Sequence, residues 1–179
     1  MSDLAFIDVA LRAARPRAVG ALLRYFRDLD LAEEAFQEAS LSALKNWPKN
    51  GPPRDPAAWL IFVGRNAALD MVRRRKKQAE LPDEEAISDL DNAESALVDQ
   101  LDEGHYRDDI LRLLFVCCHP ELPAVQQIAL ALRIVCGLTV KQAARAFLVT
   151  EAAMEQRITR AKARIAASHA QYEIPGAPE

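Results

Sequence analysis

Three cysteines and a histidine, Cys117, Cys118, His119 and Cys136, are the residues of this chain whose own reactivity could do chemistry. Their spacing does not suit it. Cys117 and Cys118 are sequence neighbours and are not expected to bridge each other. Cys-Cys-His followed by one distant Cys matches no standard zinc pattern. Cys is also among the residue types most often buried. Reduced thiols are therefore expected, with no metal. His105 and His169 stand alone. No nucleophile–base pair, glycine-rich phosphate loop or paired-carboxylate site emerges, so neither catalysis nor a cofactor is expected.

The other chemistry that side chains can offer is recognition, and here charge is informative. The net charge is −3, but the charges are segregated. Trp59–Ala79 holds six basic residues and one acid, Glu80–Ile110 twelve acids and one Arg, and Thr139–Ile165 six basic residues and two acids. At 100° per residue, Asn66, Asp70, Arg73, Arg74 and Lys77 share one face of a helix, and Trp59 and Val63 extend that face backward. Asp70 and Arg74 are spaced as an i,i+4 pair. A basic stripe with an aromatic and an amide on it suits a nucleic-acid backbone and its bases. In the second basic segment, Ala152, Gln156, Thr159 and Ala163 lie opposite Met154 and Ile158, with Glu155 and Arg160 flanking. Small residues allow close approach to a groove, Gln and Thr hydrogen-bond base edges, and Arg reaches base or phosphate. Arg157, Lys162 and Arg164 fall at the sides, where phosphates would lie.

These residues need helices to hold them. The chain is 50% hydrophobic and 27% charged, a globular balance, with scarce Gly and abundant Ala, Leu, Arg and Glu. The expected fold is all-α, with two small helical domains joined by an acidic linker and a helix-turn-helix in the second. Residues 4–26 show a broken helical pattern in which Pro16 marks a break or a new start. "DLDLAEEAFQEASLSALKNW" places Leu31, Ala35, Leu41 and Leu44 near one face, and Asp28, Asp30, Glu33, Glu34, Gln37 and Glu38 on an acidic one. Pro48–Pro56, with four prolines and a glycine, reads as a loop. "AAWLIFVGRNAALDMVRRRKK" reads as a long helix, apolar on almost every side in its first half. The acidic, apolar-poor stretch 80–107 reads as a linker between domains 1–79 and 108–170, with a tail at 171–179. In the second domain, "DDILRLLFVCCHPELP" gives a helix ended by Pro120. "AVQQIALALRIVCG" gives one carrying Val125, Ile128, Ala129, Leu132, Val135 and Cys136 and stopped by Gly137. Thr139 and Thr150 are expected N-caps. The last helix buries Met154, Ile158, Ala161 and Ile165. Two short helices joined by a tight turn, the second basic, form the helix-turn-helix pattern. No secretory signal or bilayer-length apolar run is present, so a cytoplasmic protein without a membrane partner is expected.

With these segments in order, the chain resembles a bacterial extracytoplasmic-function (ECF, group IV) sigma factor. "DLDLAEEAFQEASLSAL" resembles the segment that docks on the clamp helices of RNA polymerase. "DPAAWLIFVGRNAALDMVRRR" resembles the segment that melts and reads the minus-ten element. "LTVKQAARAFLVTEAAMEQRITRAKARI" resembles the reader of the minus-thirty-five element. "LRLLFVCCHPELPAVQQIALALRI" is similar to a subgroup that carries a helical C-terminal extension. This chain stops at "YEIPGAPE", so a truncated chain and a short member both remain open.

The resemblance implies two partners, core RNA polymerase and promoter DNA. It also allows an anti-sigma factor, or a regulatory C-terminal extension absent from this chain. It implies that Asp30, Glu33, Glu34, Gln37 and Glu38 face the polymerase and that loop 46–56 captures an unstacked base. Trp59, Asn66, Arg73, Arg74 and Lys77 are then expected at the minus-ten element, and Glu155, Gln156, Thr159, Arg160, Lys162 and Arg164 at the minus-thirty-five element. The acidic linker would thread a cationic channel. Glu155 stands where relatives commonly place a basic residue. The competing reading is a helix-turn-helix regulator that binds promoter DNA without being a polymerase subunit. It explains Thr139–Ile165 but not the acidic and basic helices before it.

Overall fold

The computed structural model describes the backbone of residues 3–79 and 103–168, with side chains at 5–71 and 108–168. Every regular element among the described residues is a helix: α1 (Asp3–Phe26), α2 (Leu29–Asn50), α3 (Pro56–Ala79), α4 (Glu103–Cys117), α5 (Ala124–Ile134), α6 (Val140–Ala146) and α7 (Glu151–Ala167). The all-α expectation is correct. The linker expected at 80–107 lies largely outside the described residues, but α4 already begins at Glu103.

Helices α1, α2 and α3 pack on one another around Leu22, Leu23, Phe36 and Leu60. Two prolines expected to interrupt helices do not. Pro16 lies inside an unbroken α1. It removes one backbone donor, but Ile7 and Ala14 before it and Val19, Leu22 and Leu23 after it are all buried. Burial on both sides of a proline outweighs one lost hydrogen bond. Pro48 likewise sits within the last turn of α2, which runs to Asn50, so the expected loop shrinks to residues 51–55. Buried Trp47 anchors that turn, and Gly51, at φ 77°, closes it by donating its N–H to the Trp47 carbonyl. The chain then re-enters helix at Asp55-Pro56. The Asp55 carboxylate accepts from the backbone N–H groups of Ala57 and Ala58 at 2.9 and 3.1 Å, with proline at the first helical position, where its missing donor costs nothing.

The buried stripe of α2 is also not the one expected. Ala32, Ala35, Phe36, Ala39, Ala43 and Trp47 face inward, while Leu41 and Leu44 are 50% and 42% exposed. The alanines let neighbouring backbones come close. A Cβ placed on Gly64 of α3 would lie 2.8 Å from the Ala35 carbonyl oxygen, so α2 and α3 touch backbone to backbone there. In α5 the buried residues are Ala129, Leu130 and Ile134, while Val125 and Ile128, expected inside, are exposed.

The second half docks on the first. α4 lies along α1, where a Cβ on Gly20 would come within 2.7 Å of the Asp109 carbonyl oxygen. Asp109 is fully buried and receives Arg24 at 3.2 Å and Arg112 at 2.8 Å. The buried apolar residues of both halves form one cluster, from Ile7 to Ile165.

Candidate nucleic-acid and partner interfaces

The helix-turn-helix is built by its caps. Thr139 accepts from the Gln142 N–H at 3.1 Å, and the Gln142 side chain accepts from the Thr139 N–H at 2.9 Å, a reciprocal box that starts α6. Four residues, 147–150, join α6 to α7. Leu148 takes φ 54° there and is 94% exposed. Thr150 accepts from the Ala153 N–H at 3.2 Å and starts α7. Ala143 and Ala144 of α6 are buried, as are Met154, Ile158, Ala161 and Ile165 of α7. The 4-3-4 spacing of that second set places it on one stripe, as expected.

The opposite face of α7 is open. Ala152, Glu155, Gln156, Thr159, Arg160, Ala163 and Arg164 are all exposed. Gln156, Thr159 and Arg160 thus present an amide, a hydroxyl and a guanidinium to one side, bordered by two alanines. Arg157 is half-buried, with its guanidinium 5.9 Å from the Phe147 ring centroid. Lys162 is the exception. Its ammonium lies 2.7 Å from Asp30 and 2.6 Å from Glu33, both on α2. Burial opposes its charge, but Glu33 and Asp30 outweigh that and hold its pKa above the ordinary value.

The acidic side of α2 divides accordingly. Gln37 and Glu38 are exposed, Glu34 is half-buried and Asp30 keeps 70% of its side chain accessible. Glu33 is 5% exposed and bridges two cations, Lys162 and Arg15, the latter at 2.8 Å. Arg15, on α1, also donates its Nε–H to the Ile134 carbonyl at 3.0 Å, and its guanidinium stacks 5.0 Å from the Phe36 centroid. Burial lowers the Arg15 pKa, with Glu33 acting against that shift. Arg15 was not singled out from sequence. Its partners lie 18 and 119 residues away, and no local pattern connects them.

On α3, Trp59 is half-buried and meets Trp47 edge to face at 5.4 Å. Asn66 is half-buried. Arg73, Arg74 and Lys77 fall on the last turns of α3, and their side chains lie outside the described ones. Arg65, also not anticipated, stacks on Tyr25 at 4.6 Å. The three cysteines are free thiols. Cys118 and Cys136 are exposed, whereas burial pushes Cys117 up to about 12. No helix among the described residues is long and apolar enough to cross a membrane.

The chain matches two family descriptions in order, Sigma-70 region 2 over residues 10–78 and Sigma-70 region 4 over residues 112–165. The first covers most of α1, all of α2 and nearly all of α3. The second runs from within α4 through the helix-turn-helix to Ile165. The chain is also 71% identical over 177 residues to an uncharacterized protein of Rhizobium meliloti (strain 1021), a match that takes in 99% of this chain. The chain spans only 42% of that relative's length. Sigma-70 regions 2 and 4 are the parts by which sigma factors direct promoter-specific transcription. With both present in this order, and with the second helix of the helix-turn-helix exposing its polar face, the chain belongs to the sigma-70 family of RNA polymerase sigma factors and is of the extracytoplasmic-function type.

Proposed function

We propose that this chain binds core RNA polymerase in the cytoplasm and directs it to a particular set of promoters, as a specificity subunit without catalytic activity of its own. The observation that carries this is the pairing of a region 2 bundle with a region 4 whose α7 presents Gln156, Thr159 and Arg160 outward. In this reading Asp30, Glu34, Gln37 and Glu38 meet the polymerase clamp, while Glu33, expected there from the sequence, is buried between Arg15 and Lys162. The exposed Leu41 and Leu44, on the same helix, add apolar contact. Unstacking a base costs a few kcal/mol, and the loop 51–55 offsets that by holding the base. Trp59, Asn66, Arg73, Arg74 and Lys77 hold the opened strand and its adjacent duplex. At the upstream element, Gln156, Thr159 and Arg160 read base edges, while Arg164 meets phosphate; Lys162, expected at phosphate from the sequence, is held by Asp30 and Glu33. Glu155 repels phosphate but accepts from cytosine N4, so it favours an upstream element with a cytosine at that position. Control by an anti-sigma factor or by a C-terminal extension belongs to the same proposal. The test is transcription in vitro by core polymerase on a promoter library, with and without this protein. Specific start sites that appear only with the protein support the reading. Duplex binding unaffected by polymerase, with no new start sites, would refute it.

A further inference from the structure

Most cations that the fold draws in from solvent have found an anion or a carbonyl. Arg15 and Lys162 hold Glu33, Arg24 and Arg112 hold Asp109, and Arg133 donates to the Leu138 carbonyl. Arg65, half-buried near the middle of α3, is an exception. Among the described residues no carboxylate lies within ion-pair distance of it, and its Nε is buried without a hydrogen-bond partner. What it does have is the Tyr25 ring, near the end of α1, with the ring centroid 4.6 Å from the guanidinium carbon. Phe26 stands nearly perpendicular to that ring, 4.9 Å between centroids. Tyr25 is nevertheless 50% exposed. Arg65 occupies one face of the ring, so the accessible half includes the other.

We propose that Tyr25 and Arg65 form a nucleotide subsite for unpaired DNA, the ring stacking on one base and the guanidinium meeting an adjacent phosphate. The inference rests on the functional reading above, and it extends the strand-holding surface from α3 onto α1. Three physical arguments support it. First, a guanidinium partly withdrawn from water with an unused donor is costly until an anion meets it, and its planar fork suits phosphate. Second, the ring is already braced by Arg65 and Phe26, so little rotamer freedom is lost when a base stacks on it. Third, the position is right. Arg65 directly precedes Asn66 on α3, and at 1.5 Å of rise per residue Arg73 lies roughly 12 Å further along the axis. A strand held at Asn66 and Arg73 is therefore within reach of Tyr25. The ligand must be unpaired, because each base inside a duplex is covered on both faces by its neighbours and offers a ring only its edges. That separates this subsite from α7, whose exposed side chains suit base edges in a groove.

The test uses the full chain and a short single-stranded oligothymidylate at low salt. With 5-bromouracil in the oligomer, irradiation should leave an adduct on Tyr25 of the wild type, located by mass spectrometry. Binding of the unmodified oligomer, followed by fluorescence anisotropy, gives the second arm. Tyr25→Leu keeps an apolar contact with Phe26 but cannot stack, and should weaken binding about tenfold. Tyr25→Phe keeps the π-face and should stay within about twofold of wild type. Arg65→Gln should weaken binding and lower the salt slope by about 0.7, the share of one phosphate on a single strand. A merely structural role for the pair would move neither the salt slope nor the difference between Leu and Phe. Circular dichroism confirms that each variant folds, and if one does not, the wild-type adduct decides. No adduct at Tyr25, equal binding by the Leu and Phe variants, or an unchanged salt slope in Arg65→Gln would each overturn the proposal. If wild-type protein programmes no new start sites on the promoter library while oligomer binding keeps its dependence on Tyr25 and Arg65, the functional reading fails and the subsite stands.

Discussion

Replacing Gly20 by alanine reverses the sign that helix propensity alone predicts. In an exposed helix interior, Gly→Ala stabilises by about 1 kcal/mol. At position 20 the new Cβ would lie 2.7 Å from the Asp109 carbonyl oxygen, 2.9 Å from its carbonyl carbon and 3.1 Å from its Cβ. The first two are backbone atoms of α4, so no side chain can swing aside. Ordinary contact begins near 3.4 Å, so α1 and α4 must separate by roughly half an ångström or more, and dispersion contacts along the helix pair weaken steeply over that distance. The Arg24–Asp109 ion pair, already 3.2 Å long, would lengthen further. Overpacking of this kind costs about 1–3 kcal/mol. Set against the propensity gain of about 1 kcal/mol, the net expectation is a loss of up to about 2 kcal/mol. Urea denaturation followed by circular dichroism measures it. Gly64→Ala, whose Cβ would meet the Ala35 carbonyl oxygen at 2.8 Å, should also destabilise, and it reports on α2–α3 packing within region 2 alone. A Gly20→Ala protein about 1 kcal/mol more stable than wild type would mean that α4 does not rest on α1.

Other consequences are simpler to check. Leu148 pays for a left-handed backbone with no burial in return, so Leu148→Gly should stabilise the chain by about 0.5–1 kcal/mol in the same denaturation assay. With its pKa raised by burial to about 12, Cys117 should resist iodoacetamide at pH 8 while Cys118 and Cys136 label, and mass spectrometry should show all three labelled only after unfolding. The Lys162 pKa is raised in the folded protein, so its contribution to docking is full below its ordinary 10.5 and is lost as pH rises through the folded value. Stability carried by this lysine should therefore be flat from about pH 7 to 9 and fall only above 10.5, seen as a difference between wild type and Lys162→Met. Arg160→Ala should change base preference at one upstream position by about 1–3 kcal/mol, while Arg164→Ala should weaken all sequences alike, as read by transcription from promoters randomised upstream.

What the linear chain determined by itself is local. Thr139 and Thr150 cap their helices through partners three residues away, and the 154, 158, 161, 165 stripe follows from helical geometry. The exposed face of α7 follows from that stripe, so its candidate base-reading residues were legible before any fold was known. Helix capping and periodicity are set within one or two turns, where few alternatives compete. Tertiary structure decided the rest. Leu41, Leu44, Val125 and Ile128 are as apolar as the residues that were buried in their place. Close helix approach at Gly64 favoured alanine on the inner face of α2, and no periodicity distinguishes the two faces. Pro16 stayed inside its helix because burial on both sides outweighed a missing donor, and Pro48 because buried Trp47 anchors the last turn just before it. Lys162 is separated from Asp30 by 132 residues, and its charge had no address until α7 came to rest on α2. A side chain at the edge of a helix reads equally well as a phosphate contact or as an ion-pair partner. Only the fold supplies the carboxylates that choose between them.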